Sequence, residues 1–286
     1  MPPGKRLSLA PPLPHQYPHP VWDPLGTRYN RPNPQAKFGV AEEEPDSPPD
    51  RVANLVVGLS QDGSLAGIQE LIGVQITLGG LSPAPWRPGD GDISVAGCFV
   101  IFPRGRSGPG AEGDAATAAA VIVSGGRTTA TKTVRGYAGA PYAAGLLYLR
   151  EGQLLEEVVR QLPDRPDVLV VNGTGLDHPR HAGMALHLGY LLDLPTVGVT
   201  HRPLCSEGQW PDDEKGSISP LTCDGQVVGY WVRTRRDARP LVAHAAWRTS
   251  PETAAEVVLS TTRRVRTPEP LRLARQLARI ARADTG

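Results

Sequence analysis

One stretch, residues 166–204 (PDVLVVNGTGLDHPRHAGMALHLGYLLDLPTVGVTHRPL), constrains the fold of this chain more than any other. Its apolar run at 168–171 is valine-rich and bounded by turn residues, the pattern of a strand covered on both faces. Asn172-Gly-Thr-Gly175 then breaks the chain into a tight loop. Ala182, Ala185, Leu188, Gly189 and Leu192 recur at helical spacing, so a helix is expected over 178–192, closed by Asp193 and Pro195. Residues 196–199 supply a second buried strand. Such a unit gathers polar residues where its strands stop, and parallel α/β sheets carry their sites there.

Around this unit further strands, hairpins and helices are expected. A first central strand is expected over 93–102, and a hairpin of 116–123 with 128–134 through Gly125-Gly126. A second hairpin joins 218–223 to 227–232 across Asp224-Gly225, a strong turn signal. Short strands are expected at 241–245 and, as strand or turn, within 51–60. Helices are expected from a Ser64 cap to about 76, over 146–162, from Pro251 to about 260, and over 271–283. Residues 1–50 hold 13 of the 30 prolines, which excludes helix interiors and central strands there. Tyr17, Trp22, Tyr29 and Phe38 in that segment point to an extended arm packed on a neighbouring surface. The expected organisation is therefore a Pro-rich N-terminal extension, 1–50, and one main domain, 51–286.

A formal net charge of +1 gives no bulk attraction to nucleic acid, so binding of that kind requires a local patch. Cys98, Cys205 and Cys223 are widely spaced, without a CxxC pair, and suit a reducing compartment. The N-terminus carries no charged-then-apolar signal pattern and no apolar run is long enough to span a bilayer. A soluble, cytoplasmic protein with no membrane partner is expected.

Residues 172–204 are similar, without a gap, to the central block of the endonuclease V family, roughly DGxGxAHPRxxGxAxHxGxxxxxPTxGVAKxxL. Three other stretches carry the likeness. Val95-Ala-Gly-Cys-Phe-Val-Ile-Phe102 is similar to VAGxDxS[FY], Pro141-Tyr-Ala-Ala-Gly-Leu-Leu-Tyr-Leu-Arg-Glu151 to PYIPGxLxFRE, and the segment from Pro240 to a run ending in SPGH. The resemblance implies a ribonuclease H-like α/β fold, a mixed central sheet flanked by helices. It also implies cleavage of DNA or RNA near inosine, with divalent metal held by carboxylates.

Several positions depart from that pattern. Phe99 stands at the first aspartate and Asn172 at the second, while the glutamate is kept as Glu151. His201 replaces the lysine of GVAK, His244 falls at the serine and Trp247 at the histidine of SPGH. Asp177 stands at the usual alanine beside His178, and Ala143-Ala144 replaces the Ile-Pro of a strand-opening wedge. Magnesium prefers several converging oxygens, so these departures lead to an expectation of no metal and no other cofactor. The gained histidines and carboxylate lead to a second. Glu151, Asp177, His178, His201 and His244 are expected to share a cavity and act by acid–base chemistry on a small-molecule substrate. Asn172, Tyr142, Phe99 and Trp247 would contact that substrate in a drier pocket. The alternative keeps nucleic acid as partner, bound without cutting or cleaved at inosine with Mg2+. Cys98 reads as a core residue, and Arg272, Arg275, Arg279 and Arg282 as a solvated helix face.

Overall fold

The computed structural model describes residues 63–89, 91–103 and 108–283. The proline-rich residues 1–50, with their aromatic anchors, and the strand or turn expected within 51–60 lie outside these.

Eight strands form one mixed sheet in the order β3-β2-β1-β4-β5-β8-β7-β6. Strands β1 (Val95–Ile101), β2 (Ala115–Ser124) and β3 (Arg127–Tyr137) make the antiparallel meander. Strands β4 (Val168–Val171) and β5 (Thr196–Thr200) run parallel to β1. The sheet then closes antiparallel through β8 (Leu241–Ala245), β7 (Gln226–Val232) and β6 (Ile218–Cys223). This is the mixed sheet expected from the sequence. The β6–β7 turn places Asp224 and Gly225 at positive φ, which a tight hairpin requires and which Asp and Gly tolerate best.

Helices cover both faces. On one lie α1 (Leu65–Gly79), α2 (Gln153–Arg160) and α3 (Met184–Leu192); on the other lie α4 (Pro251–Ser260) and α5 (Glu269–Ala283). Strand alternation divides β1 between them. Ala96, Cys98 and Val100 join the core under α1–α3, and Val95 and Phe99 pack toward α4 and α5. All four residues of β4 have no exposed surface, and burying such a valine or leucine contributes roughly 1.5–3 kcal/mol. The strand ends are therefore fixed points. Gly97 lets α5 approach β1 closely, because a Cβ there would lie 2.4 Å from the Pro270 carbonyl carbon. That approach aims one face of α5 at the C-terminal half of β1.

Two helices depart from expectation. The helix expected over 178–192 begins only at Met184, after an extended Gly183 and a left-handed His181 (φ 51°). Residues 178–183 instead form turns tied by His178 and His181 to distant carbonyls. The helix expected over 146–162 starts as a single π-helical turn, Tyr148–Gly152, before α2 continues to Arg160. Gly152 is necessary there, since a Cβ would lie 2.3 Å from the Tyr148 ring. Among the described residues no helix is long and apolar enough to cross a membrane.

Candidate functional site at the strand ends

Parallel register puts Cys98, Val171 and Gly198 side by side on β1, β4 and β5. One residue further along these chains come Phe99, Asn172 and Val199, followed on β5 by Thr200 and then His201. This row is the C-terminal edge of the parallel strands. Asn172 is exposed at the start of its loop, with its side-chain amide open to a ligand.

Glu151 reaches the same edge from the π-helical turn, on the face of the sheet to which Cys98 points. Burial pushes its carboxyl up from 4.5 to about 7, against the opposing pull of Arg150. Arg150 is turned away, held at 3.1 Å by Asp114 and at 2.8 Å by the Ala140 carbonyl, and stacked 4.1 Å over Phe102. Among the described residues the Glu151 carboxyl therefore has no counter-charge in contact. Its field, after burial, raises the Cys98 thiol to about 12, so Cys98 is a protonated core residue rather than a nucleophile.

Basic groups gather on the opposite face. The Arg275 guanidinium lies 5.5 Å over the Phe99 ring, a cation–π contact that fixes a positive charge beside β1. His201 is exposed, and its Nδ1 accepts from Arg266 at 2.6 Å. Its proton then sits on Nε2, and burial, Arg266 and Arg275 together hold its pKa below the ordinary value. Arg266 and Arg275 thus bring to this edge the charge that a lysine brings in the family pattern. Sequence reasoning missed Arg266 and took Arg275 for part of a solvated face.

Beside the row opens a cavity of about 330 Å3, lined by Tyr142, Tyr148, Asn172, Thr174, His178 and Thr200 among others. Tyr142 is exposed at its rim. His178 is a structural tie: its Nε2 donates to the Gly145 carbonyl at 3.0 Å while Nδ1 accepts from Arg180 N–H at 3.2 Å. Burial lowers its pKa to about 4, so the ring stays neutral. Asp177 and His244 are fully buried behind the wall, with carboxylate and Nδ1 3.5 Å apart. Trp247 lies at the other end of β5, paired through the backbone with Thr196 and edge-on to Tyr190 at 5.1 Å. Of the residues singled out from sequence, the edge and its cavity bring together Glu151, Asn172, Tyr142, His178, His201 and Phe99. Asp177 and His244 back that wall, and Trp247 is remote.

The endonuclease V family profile matches residues 95–276, which span the sheet and every group just described. The chain belongs to the endonuclease V family. Endonuclease V of Methanopyrus kandleri is 43% identical over 148 residues, 52% of this chain and 64% of that protein. Endonuclease V of Streptomyces coelicolor is 38% identical over 175 residues, 60% of this chain and 75% of that one. The crystal structure of endonuclease V from Streptomyces avermitilis superposes with a TM-score of 0.68 at 32% identity, covering 76% of this chain and 93% of that one. The catalytic domain of human endonuclease V also gives 0.68, at 27% identity, with 78% and 98% covered. The chain spans 59% and 64% of the length of the Dictyoglomus thermophilum and Methanopyrus kandleri proteins.

Membership corrects one expectation. The departures at Phe99 and Asn172 suggested a site without metal, but endonuclease V chemistry is magnesium-dependent and the chain is a member of that family. The residues present fit such an ion in part. Among the described residues no cluster of three or more His, Cys, Asp or Glu side chains is arranged around one point. Magnesium, however, is commonly held by one or two protein oxygens together with waters and a substrate phosphate. Glu151 and the Asn172 side-chain oxygen supply that donor set, and the desolvated Glu151 carboxyl gains most from a cation. Phe99 contributes no oxygen.

Proposed function

We propose that this protein binds a nucleic-acid strand across the C-terminal edge of β1, β4 and β5 and cleaves a phosphodiester there. The observation that carries the reading is Glu151: a desolvated carboxyl kept in the family register, beside a base-sized cavity and opposite two arginines. Family membership favours a polynucleotide over the free small molecule suggested by the polar substitutions.

In this reading a base swung out of the strand enters the 330 Å3 cavity, with Tyr142 at the rim offering a face for stacking. Inosine is the base that the family implies. The adjoining phosphate lies over the strand ends, where Arg275 and Arg266 balance its charge and the His201 Nε2 proton can be donated to an oxygen. Glu151 and Asn172 would hold magnesium on that phosphate. When bound, the ion supplies charge neutralisation on a phosphate oxygen and a more acidic water. Glu151, with a pKa near 7 before any cation is bound, is poised to accept a proton at its carboxylate oxygen. With both family aspartates replaced and Glu151 the one family carboxylate kept, the attraction for a cation is weakened, so half-saturation is expected in the millimolar range or above, at about tenfold or more the metal that the family's three-carboxylate pattern needs.

The test is a nicking assay on inosine-containing DNA and RNA strands, with magnesium or manganese titrated. Cleavage next to inosine is expected, abolished in Glu151→Gln while binding persists. Absence of both cleavage and inosine-dependent binding at any metal concentration overturns the reading.

A further inference from the structure

Three departures from the family pattern lie far apart in sequence: Asp177 at an alanine, Thr200 at the alanine of GVAK, and His244 at a serine. The fold brings them into one buried string. β8 pairs with β5 so that His244 lies opposite Gly198, two residues before Thr200. His244 Nε2 is 2.7 Å from Thr200 Oγ1, and its Nδ1 is 3.5 Å from the Asp177 carboxylate. Neither Asp177 nor His244 has any exposed surface.

The string holds one loop at both ends. Thr200 Oγ1 also lies 2.7 Å from the Arg202 carbonyl, fixing the turn just past β5. Asp177 accepts the N–H groups of Leu204 (2.8 Å), Cys205 (2.8 Å) and Ser206 (2.7 Å). An alanine at 177 would leave those three donors without their acceptor, a cost that falls in full on any of them that stays buried. This loop conformation therefore requires Asp177. Between the two anchors lie His201, Arg202 and Pro203, which with Thr200 and Leu204 form one wall of the cavity. The Thr200–Arg202 bond also settles the imidazole tautomer. The single Thr200 hydroxyl proton goes to the Arg202 carbonyl, so Thr200 Oγ1 accepts from His244 Nε2–H, while Nδ1 stays within 3.5 Å of the carboxylate.

We propose that Asp177, His244 and Thr200 are positioning residues that preset the 200–206 loop, and with it the cavity wall that discriminates the bound base. This rests on the reading of the cavity as the base site. The alanines and serine of the family pattern cannot build the string. Its effect falls chiefly on recognition of the base, since Arg275 lies outside the loop, although His201 and the Arg266 bound to it adjoin the latched segment.

The experiment has two arms. Hydrogen exchange on the whole protein without nucleic acid reads the amides of Leu204, Cys205 and Ser206. In Asp177→Asn these are expected to exchange at least about tenfold faster, with the β4 and β5 amides unchanged. Equal protection in the variant overturns the latch. The second arm measures binding of an inosine strand and an adenosine strand of the same length. Thr200→Val, nearly isosteric and expected to fold, is to lose about tenfold of the preference for inosine over adenosine. Thr200→Ser, which retains the hydroxyl, is to restore the preference. A Thr200→Val protein with full preference overturns the role in recognition. If the unaltered protein shows no preference for inosine, the proposed function fails, whereas the exchange arm still decides whether the loop is latched.

Discussion

Replacing Glu151 by glutamine removes a charge that the fold desolvates, and the consequence is a gain in stability whose size depends on pH. The carboxyl titrates at about 7 in the folded chain and near 4.5 when unfolded. A raised pKa means that the folded protein binds the proton more tightly. The favourable contribution is complete below pH 4.5 and is lost as pH rises through 7. The gap corresponds to about 3 kcal/mol at pH 8, reduced to about 2 kcal/mol because the side chain retains some contact with solvent. Glutamine has the same shape and no charge to desolvate. Glu151→Gln is therefore expected to be about 2 kcal/mol more stable than the unaltered protein at pH 8 and equal to it at pH 4.5. For a domain of this size that is an increase in Tm of about 4–8 °C. Thermal melts from pH 4.5 to 8.5 measure it directly. Magnesium adds a second reading: by pairing with the ionised carboxylate it should stabilise the unaltered protein and narrow the gap, leaving the variant unmoved. A variant no more stable than the unaltered protein at pH 8, or one that magnesium stabilises equally, would refute the account of Glu151 as a desolvated metal-facing carboxylate.

Two other predictions follow from the same site and its surroundings. Burial holds His178, His187 and His244 at pKa values of about 4, 3 and 4, below the 6.5 of an unfolded chain, so acidification from 6.5 towards 4 should destabilise the protein by about 1.4 kcal/mol per pH unit for each histidine. His187, stacked 3.8 Å on Tyr148 with neither ring nitrogen hydrogen-bonded, is the cleanest probe; in His187→Phe the dependence of the urea midpoint on pH should flatten by one histidine's share, and an unchanged slope would count against it. Arg275→Ala should weaken binding of every strand irrespective of sequence and lower the slope of log affinity against log salt by about one, whereas an unchanged slope would place Arg275 outside the phosphate path.

Much of the framework is legible because buried parallel strands leave an unambiguous trace. The run at 168–171 is apolar at every position since both faces are covered, and β4 indeed has no exposed residue; 196–199 departs only at Thr196, whose buried hydroxyl donates to the Ala185 carbonyl. The hairpin at Asp224-Gly225 is equally readable, because the turn itself demands residues that tolerate positive φ. The helix start at 178 fails for the opposite reason. Local spacing there favours a helix, but the His178 ring bonds the Gly145 carbonyl and the His181 ring bonds the Leu176 carbonyl, holding the segment in turns. Those contacts cost the helix six residues, and no local pattern encodes the first of them.

The site divides along the same line. Which residues stand at this edge is legible, since Asn172 and His201 follow directly from where β4 and β5 stop, and Phe99 is the β1 residue next to the Cys98–Val171 pair. What each one touches depends on how distant elements are registered. Arg275 reaches Phe99 only because Gly97 admits α5 against β1, and Arg266 reaches His201 from a segment 65 residues later. The string of Thr200, His244 and Asp177 exists only because Gly198 pairs with His244 across β5 and β8. Reading each residue singly, as a free acid or base, therefore assigned solvent chemistry to groups whose buried partners had already committed their lone pairs. Asp177 is the plainest instance: its three backbone N–H donors make it the anchor of a loop, and its effect on a bound base passes through the wall that it holds in place.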